Sequence, residues 1–170
     1  MDPSRITLRG WRYEDVESLV RYANDREVWL NLRDRFPHPY SRHEAEEWTA
    51  RCVSGQTSST ELAVDLNGEA IGAVGFEPQK DVNRLTVEIG YWLGQPFWGK
   101  GIATVAVTRA TKYAFSHLNI ERIEGGVFAW NLVSARVLEK AGYTLEGRLR
   151  RSIIKDGRLG DLPIYARLRP

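Results

Sequence analysis

The sequence predicts a mixed α/β fold, one sheet with helices on both of its faces. Three observations carry that reading. Asn67-Gly68 joins two apolar runs, Leu62–Leu66 and Ala70–Phe76; Asn-Gly is the strongest short hairpin signal because both turn positions need positive φ. Leu85, Val87, Ile89, Tyr91 and Leu93 alternate as a half-buried strand does. After a glycine-rich loop, Ala103, Ala106, Val107, Ala110 and Ala114 recur at three and four, the stripe of one helix face.

The other elements follow in chain order. Arg5–Arg9 alternates as a short strand, and from Tyr13 the apolar residues Val16, Leu19, Val20 and Ala23 mark a first helix. Ser41-Arg42-His43-Glu44 is a capping box, in which serine and glutamate satisfy each other's free amides. Ala45, Trp48 and Cys52 then line a second helix. Between the two helices lies Trp29–Tyr40, a connector rich in aromatics and proline. Beyond the alanine-striped helix, which runs to His117 or Leu118, Ile123–Phe128 reads as a strand and Ala135–Lys140 as a helix stopped by Gly142. Two last strands, Tyr143–Ile154 and Leu162–Leu168, join through Asp156-Gly157. Strand, two helices, strand meander, helix, strand, helix and two strands make a mixed sheet covered on both sides.

The 170 residues are read as a single domain, 1–170, since one domain takes roughly 100–200 residues. Lysine and arginine number 24 against 22 aspartates and glutamates, net +2, which argues against a surface built wholly for a polyanion and leaves room for a local basic patch. At 42% hydrophobic and 27% charged the composition is that of an ordered globular chain. One cysteine, Cys52, excludes an internal disulfide and any CxxC zinc or redox site. His38, His43 and His117 are scattered with no HExxH pattern, so no metal is expected. No apolar run nears the ~18 residues that span a bilayer, and Met1-Asp2-Pro3-Ser4-Arg5 lacks the pattern of a signal peptide. The expectation is a soluble, cytoplasmic protein with no membrane partner.

The most informative stretch is Leu93-Gly94-Gln95-Pro96-Phe97-Trp98-Gly99-Lys100-Gly101-Ile102-Ala103-Thr104, between a strong strand and a strong helix. Glycines there let backbone approach a ligand, and the free amides of a helix start attract anions. Gly94-x-x-x-x-Gly99-Lys100 nearly matches a nucleoside-triphosphate loop, but Gly101 stands where the Mg²⁺-binding hydroxyl belongs. A dinucleotide fingerprint fails as well, because Thr104 replaces its third glycine.

Gly99-Lys100-Gly101-Ile102-Ala103 resembles the pyrophosphate loop of the GNAT N-acetyltransferase superfamily. Ile89-Gly90-Tyr91-Trp92-Leu93 and Asn131-Leu132-Val133-Ser134-Ala135-Arg136-Val137-Leu138-Glu139-Lys140-Ala141-Gly142-Tyr143 resemble its Rim branch, the ribosomal-protein N-terminal acetyltransferases. The loop alone is weak; the three blocks in order are strong. Trp98, where the superfamily usually has glutamine or arginine, is common in that branch. The resemblance implies a mostly antiparallel sheet with a splayed strand pair holding acetyl-CoA. It places the cofactor on the backbone of Tyr91, Trp92 and Leu93 and of the loop from Trp98, Gly99, Lys100 and Gly101 to Ile102, Ala103 and Thr104, with the side chains of Asn131 and Arg136 beside it. For Lys100 and Arg136 the plain alternatives are a solvated loop lysine and an exposed helix arginine.

Acetyl transfer to an amine, by direct attack through a tetrahedral intermediate, needs a neutral amine, a stabilised oxyanion and a protonated leaving thiolate. Glu88 alternates away from Val87 and Ile89 and is the candidate general base; its plain alternative is an ion pair with Arg84 or Arg122. The helix tyrosine by which many superfamily members protonate the thiolate corresponds here to Leu138. By resemblance Ser134 is the acid or hydrogen-bond donor in its place, and the alternative is a passive first-turn serine behind an Asn131 cap.

The resemblance puts the acceptor amine between the Trp29–Tyr40 connector and the final hairpin around Leu149–Asp161; Trp29, Phe36 and Tyr40 read as an aromatic wall there, and the plain alternative is connector aromatics that simply pack. A protein N-terminal α-amine is the favoured acceptor. Amino acid, antibiotic and polyamine amines stay open, as does a silent acetyl-CoA sensor; a polyamine ranks lower because the connector offers only Asp34. Arg148, Arg150, Arg151 and Lys155 form a basic cluster best read as a solvated hairpin face, and nucleic acid enters only through a ribosomal substrate. Homodimers through the late strands are common in the family, and no residue here decides that point.

Overall fold

The computed structural model describes residues 2–170; Met1, part of the stretch read above for a leader, lies outside the described residues. Among these residues the strands are β1 Ile6–Arg9, β2 Thr60–Leu66, β3 Glu69–Pro78, β4 Thr86–Leu93, β5 Arg122–Gly126, β6 Thr144–Lys155 and β7 Arg158–Leu168. The helices are α1 Val16–Ala23, α2 Arg26–Trp29, α3 Arg42–Ser54, α4 Ile102–His117 and α5 Leu132–Lys140. One seven-stranded sheet has the order β1-β2-β3-β4-β5-β7-β6. Every neighbouring pair is antiparallel except β4 and β5, which are parallel. The predicted mixed sheet is the one observed. No helix among the described residues is long and apolar enough to cross a membrane.

Local chemistry explains where the elements begin and end. Asn67 and Gly68 take φ of 56° and 92°, the left-handed values that the β2–β3 turn requires. In the capping box the Glu44 amide donates to Ser41 Oγ at 3.3 Å, and the Ser41 amide donates to the Glu44 carboxylate at 2.6 Å. The first helix starts at Val16, later than the periodicity suggests, because Asp15 accepts the Arg12 amide at 2.8 Å and closes Tyr13–Asp15 into a 3₁₀ turn. α5 starts three residues early, at Leu132, under the Asn131 cap. β7 starts at Arg158, because the tight Asp156-Gly157 turn pairs Lys155 directly with Arg158.

Alternation along the strands builds two cores, one on each face of the sheet. Val64, Val74, Phe76, Val87 and Ile89 pack under α4 and α5. Ala63, Ala70 and Ala73 pack under α1 and α3 with Trp11, Leu19 and Ala45, and Trp92 joins them. Arg9 is half-buried between the buried carboxylates of Asp15 and Asp65, at 2.7 Å from each, and ties β1 to β2 and to the start of α1. β4 and β5 pair only through Thr86–Arg122, Val87–Ile123 and Glu88–Glu124. Beyond Glu88 the two strands part.

Candidate active site

Where β4 and β5 part, a cleft of about 910 Å³ opens. Tyr91 and Trp92 alternate to opposite faces of β4 and both line it, so the cleft passes through the plane of the sheet. On the α5 side its walls are Tyr91, Asn131, Ser134 and Leu138; on the connector side they are Glu88, Trp92, Phe36 and Trp48.

The structure brings Glu88, Tyr91, Trp92, Asn131 and Ser134 together on this cleft. Leu93 and the loop from Trp98 to Thr104 sit instead at the end of β4 and the start of α4, outside the cleft walls. Trp98 Nε1 donates to the Leu93 carbonyl at 2.7 Å and fastens the loop to the strand end. Gly99 and Gly101 have φ of 71° and 75°, values that side-chain-bearing residues rarely adopt. Among the described residues no side chain caps α4, so its first amides, at Ile102, Ala103 and Thr104, have no side-chain acceptor. Lys100 Nζ turns back to the Pro96 carbonyl at 2.7 Å, and Arg136 is exposed on α5.

Asn131 Oδ1 accepts the Ser134 amide at 3.1 Å, so the asparagine caps α5 and leaves its side-chain N–H₂ for another acceptor. Tyr91 Oη lies 2.7 Å from Ser134 Oγ and donates to the Ser134 carbonyl at 3.0 Å. Burial raises the Tyr91 phenol above its ordinary pKa.

Glu88 is ion-paired, with Arg33 of the connector and not with Arg84 or Arg122. Arg84 bonds the Asp81 carbonyl, and Arg122 pairs with Glu124 and Glu146. The sheet register sets Glu77, Glu88 and Glu124 side by side on adjacent strands. Like charges directly opposite destabilise a sheet, and each of these three carboxylates meets an arginine: Arg35 at 2.7 Å from Glu77, Arg33 on Glu88, and Arg122 at 3.0 Å from Glu124. Glu61 also lines the cleft, its carboxylate lying over Gly75 in the space a side chain there would fill. Among the described residues no lysine or arginine pairs with Glu61, and burial raises its pKa above the ordinary value.

Two expectations about the acceptor side need correction. Phe36 and Tyr40 pack tilted with ring centres 5.0 Å apart and Phe36 meets Trp92 edge-on at 5.6 Å, forming a wall. Trp29 is not part of it; it stacks on His38 at 5.5 Å and under Lys155, whose Nζ is 3.6 Å from the ring centre. Lys155 is not on a solvated hairpin face either, being 2% exposed with its ammonium 2.7 Å from Asp34. The ring and the carboxylate together draw the amine inward. Sequence reading missed Arg33, Arg35 and Glu61; the alternation of Glu61, Ala63 and Asp65 was a signal for the last.

The model of the acetyltransferase (GNAT) domain matches residues 5–144. The chain belongs to this family. It is 34% identical over 170 residues to the putative ribosomal N-acetyltransferase YdaF of Bacillus subtilis, covering 96% of this chain and 91% of that one. RimL, a ribosomal L7/L12 α-N-protein acetyltransferase in complex with coenzyme A, superposes with a TM-score of 0.84 at 21% identity, over 97% of this chain and 94% of that one. The spermidine N-acetyltransferase of Vibrio cholerae, in complex with CoA and spermine, superposes at 0.81 and 25% identity, over 97% and 96%. As a GNAT N-acetyltransferase the chain uses acetyl-CoA as donor. Its residues fit that donor: a Cβ on Gly99 would meet nothing within 4 Å, so the loop leaves room for a phosphate group beside the uncapped α4.

Proposed function

We propose that this GNAT domain, read as 1–170 and working in the cytoplasm, acetylates the α-amine of a protein N-terminus. The observation that carries the reading is Glu88 on the cleft wall with one carboxylate oxygen held by Arg33. The other oxygen is left to take a proton from the acceptor through water. An α-amine asks least of such a base, since it titrates near about 7.7–8.0 against about 10.4 for lysine.

Acetyl-CoA, when bound, supplies the acetyl group as a thioester. The backbone of Tyr91, Trp92 and Leu93 and the amides from Gly99 to Thr104 hold it, with the free Asn131 N–H₂ on its amide-bearing arm; Arg136 is exposed on α5 and does not line the cleft. Ser134 presents its hydroxyl to the leaving sulfur. The proton that Glu88 removes from the amine is matched by the one the sulfur gains, so the reaction balances without a metal. The named relative YdaF supports a protein acceptor.

A second reading rests on the carboxylates. Counting only the connector ranks a polyamine low, yet the sheet adds Glu61, Glu77 and Glu88 to the same cleft, an environment that favours a small cationic amine. The test runs acetyl-CoA with a peptide bearing a free N-terminus, the same peptide blocked at that end with an internal lysine, spermidine and a free amino acid, and weighs the products. Acetylation of the free-ended peptide with the blocked one untouched is the expected result. Acetylation of spermidine alone overturns the first reading in favour of the second.

A further inference from the structure

Three buried or half-buried tyrosines gather near α5, and their hydroxyls have different partners. Tyr143 Oη is bonded to Thr111 at 2.7 Å inside the core, and Tyr165 Oη donates to Glu139 at 3.3 Å. Only Tyr91 both lines the cleft and aims its phenol at another cleft residue, Ser134. Ser134 carries the one hydroxyl of α5, and a serine in the first turn of a helix readily turns back to its own backbone. A phenol has one proton for two acceptors here. With that proton on the Ser134 carbonyl, the phenol oxygen accepts the serine proton and keeps it from the cleft. With it on Ser134 Oγ, the serine proton is released into the cleft. Negative charge growing beside Ser134 selects the second arrangement.

We propose that Tyr91 is a positioning residue whose phenol fixes the Ser134 hydroxyl and turns the serine proton toward the leaving sulfur. This rests on Ser134 serving that sulfur, as proposed above. Burial keeps the phenol neutral, so it acts by donating a hydrogen bond and gives up no proton.

The test follows the bound thiol directly and needs no acceptor. Wild type, Tyr91→Phe, Ser134→Ala and the double variant are each saturated with coenzyme A, and ultraviolet thiolate absorption is titrated with pH against the complex with desulfo-coenzyme A. The bound thiol is expected to ionise at lower pH in wild type than in S134A, by about one pH unit, the tenfold change one such hydrogen bond supports. Y91F should match S134A, and the double variant should shift no further, each titration being run at coenzyme A concentrations shown to saturate that variant. Incorporating 3-fluorotyrosine at position 91, a stronger donor of the same shape, should lower the ionisation pH below wild type, and this arm stands even if Y91F folds poorly. A Y91F titration like wild type overturns the proposal, as does a double variant shifted beyond S134A, which would put the phenol on the sulfur itself. If S134A titrates like wild type, the role of Ser134 falls and Tyr91 with it, while acetyl transfer in the product assay stands or falls separately.

Discussion

Arg33 holds Glu88 on the cleft wall, a connector guanidinium on a carboxylate of β4. The contact joins residues 55 positions apart, and it places the candidate base under a cation that an incoming ammonium can replace.

Removing that cation should therefore separate stability from substrate use. Arg33→Met should melt within about 1 kcal/mol of wild type, since the pair is half exposed. Its KM for a cationic acceptor should fall, because the carboxylate no longer has an internal partner. Steady-state kinetics on the amine acetylated in the product assay gives the answer; an unchanged KM would show that Arg33 stays in place during turnover.

Glu88→Gln should lower kcat most at low pH, where the acceptor amine is protonated and needs a base. The ratio of wild-type to variant rate across a pH series is the readout. A ratio flat from acid to alkaline pH removes Glu88 as the base.

Glu61 predicts a stability change with a definite sign. Burial makes its carboxyl hold a proton more tightly in the folded chain than in the unfolded one, where the ordinary value is 4.5. Between the two values the native state binds more protons, so stability falls as pH rises, and above both the ionised group is a constant cost. Glu61→Gln should thus melt higher than wild type at neutral pH, and the gain should vanish below the ordinary value. Melting curves at both ends check it, and a gain that persists in acid would assign the effect to packing.

Arg9 sits between two buried carboxylates, Asp15 and Asp65. Arg9→Met leaves both without their cation, and breaking a buried pair in this way costs about 3–5 kcal/mol. Denaturant unfolding should show that loss as a lower midpoint. A loss below about 1 kcal/mol, the range typical of surface ion pairs, would mean the site behaves as an exposed one.

Acetyl-CoA at ~100 times its Kd should stabilise the wild-type chain by about 2.7 kcal/mol. Gly101→Val places a branched side chain at a φ of 75°, a strain of about 1–2 kcal/mol, and should both lower the melting temperature and abolish the ligand shift. Thermal unfolding with acetyl-CoA, coenzyme A and ATP plus Mg²⁺ in parallel tests this, and an equal shift with ATP would speak against the loop reading.

Much of this was legible from local pattern. Asn67-Gly68, the Ser41–Glu44 box and the alternation of β4 each express chemistry completed within a few residues, and each element formed where that chemistry put it. α2 leaves no periodic signal in its four residues, although Asp25 caps it by accepting the Glu27 and Val28 amides at 2.8 and 3.2 Å. Sequence and register place Arg84 and Arg122 near Glu88, but its partner comes from a loop whose path no periodicity describes.

The sequence by itself determined the strands, most helices, the glycine loop and the family, because these depend on backbone propensity and on motifs of contiguous residues. Only the tertiary structure decided what surrounds Glu88, that Glu61 joins it, that Lys155 is buried on Asp34 and Trp29, and that Tyr91 reaches Ser134. Ion pairs and hydrogen bonds act over a few ångströms in space whatever the separation along the chain, so partners 43 or 121 residues apart meet only once the sheet has set its order.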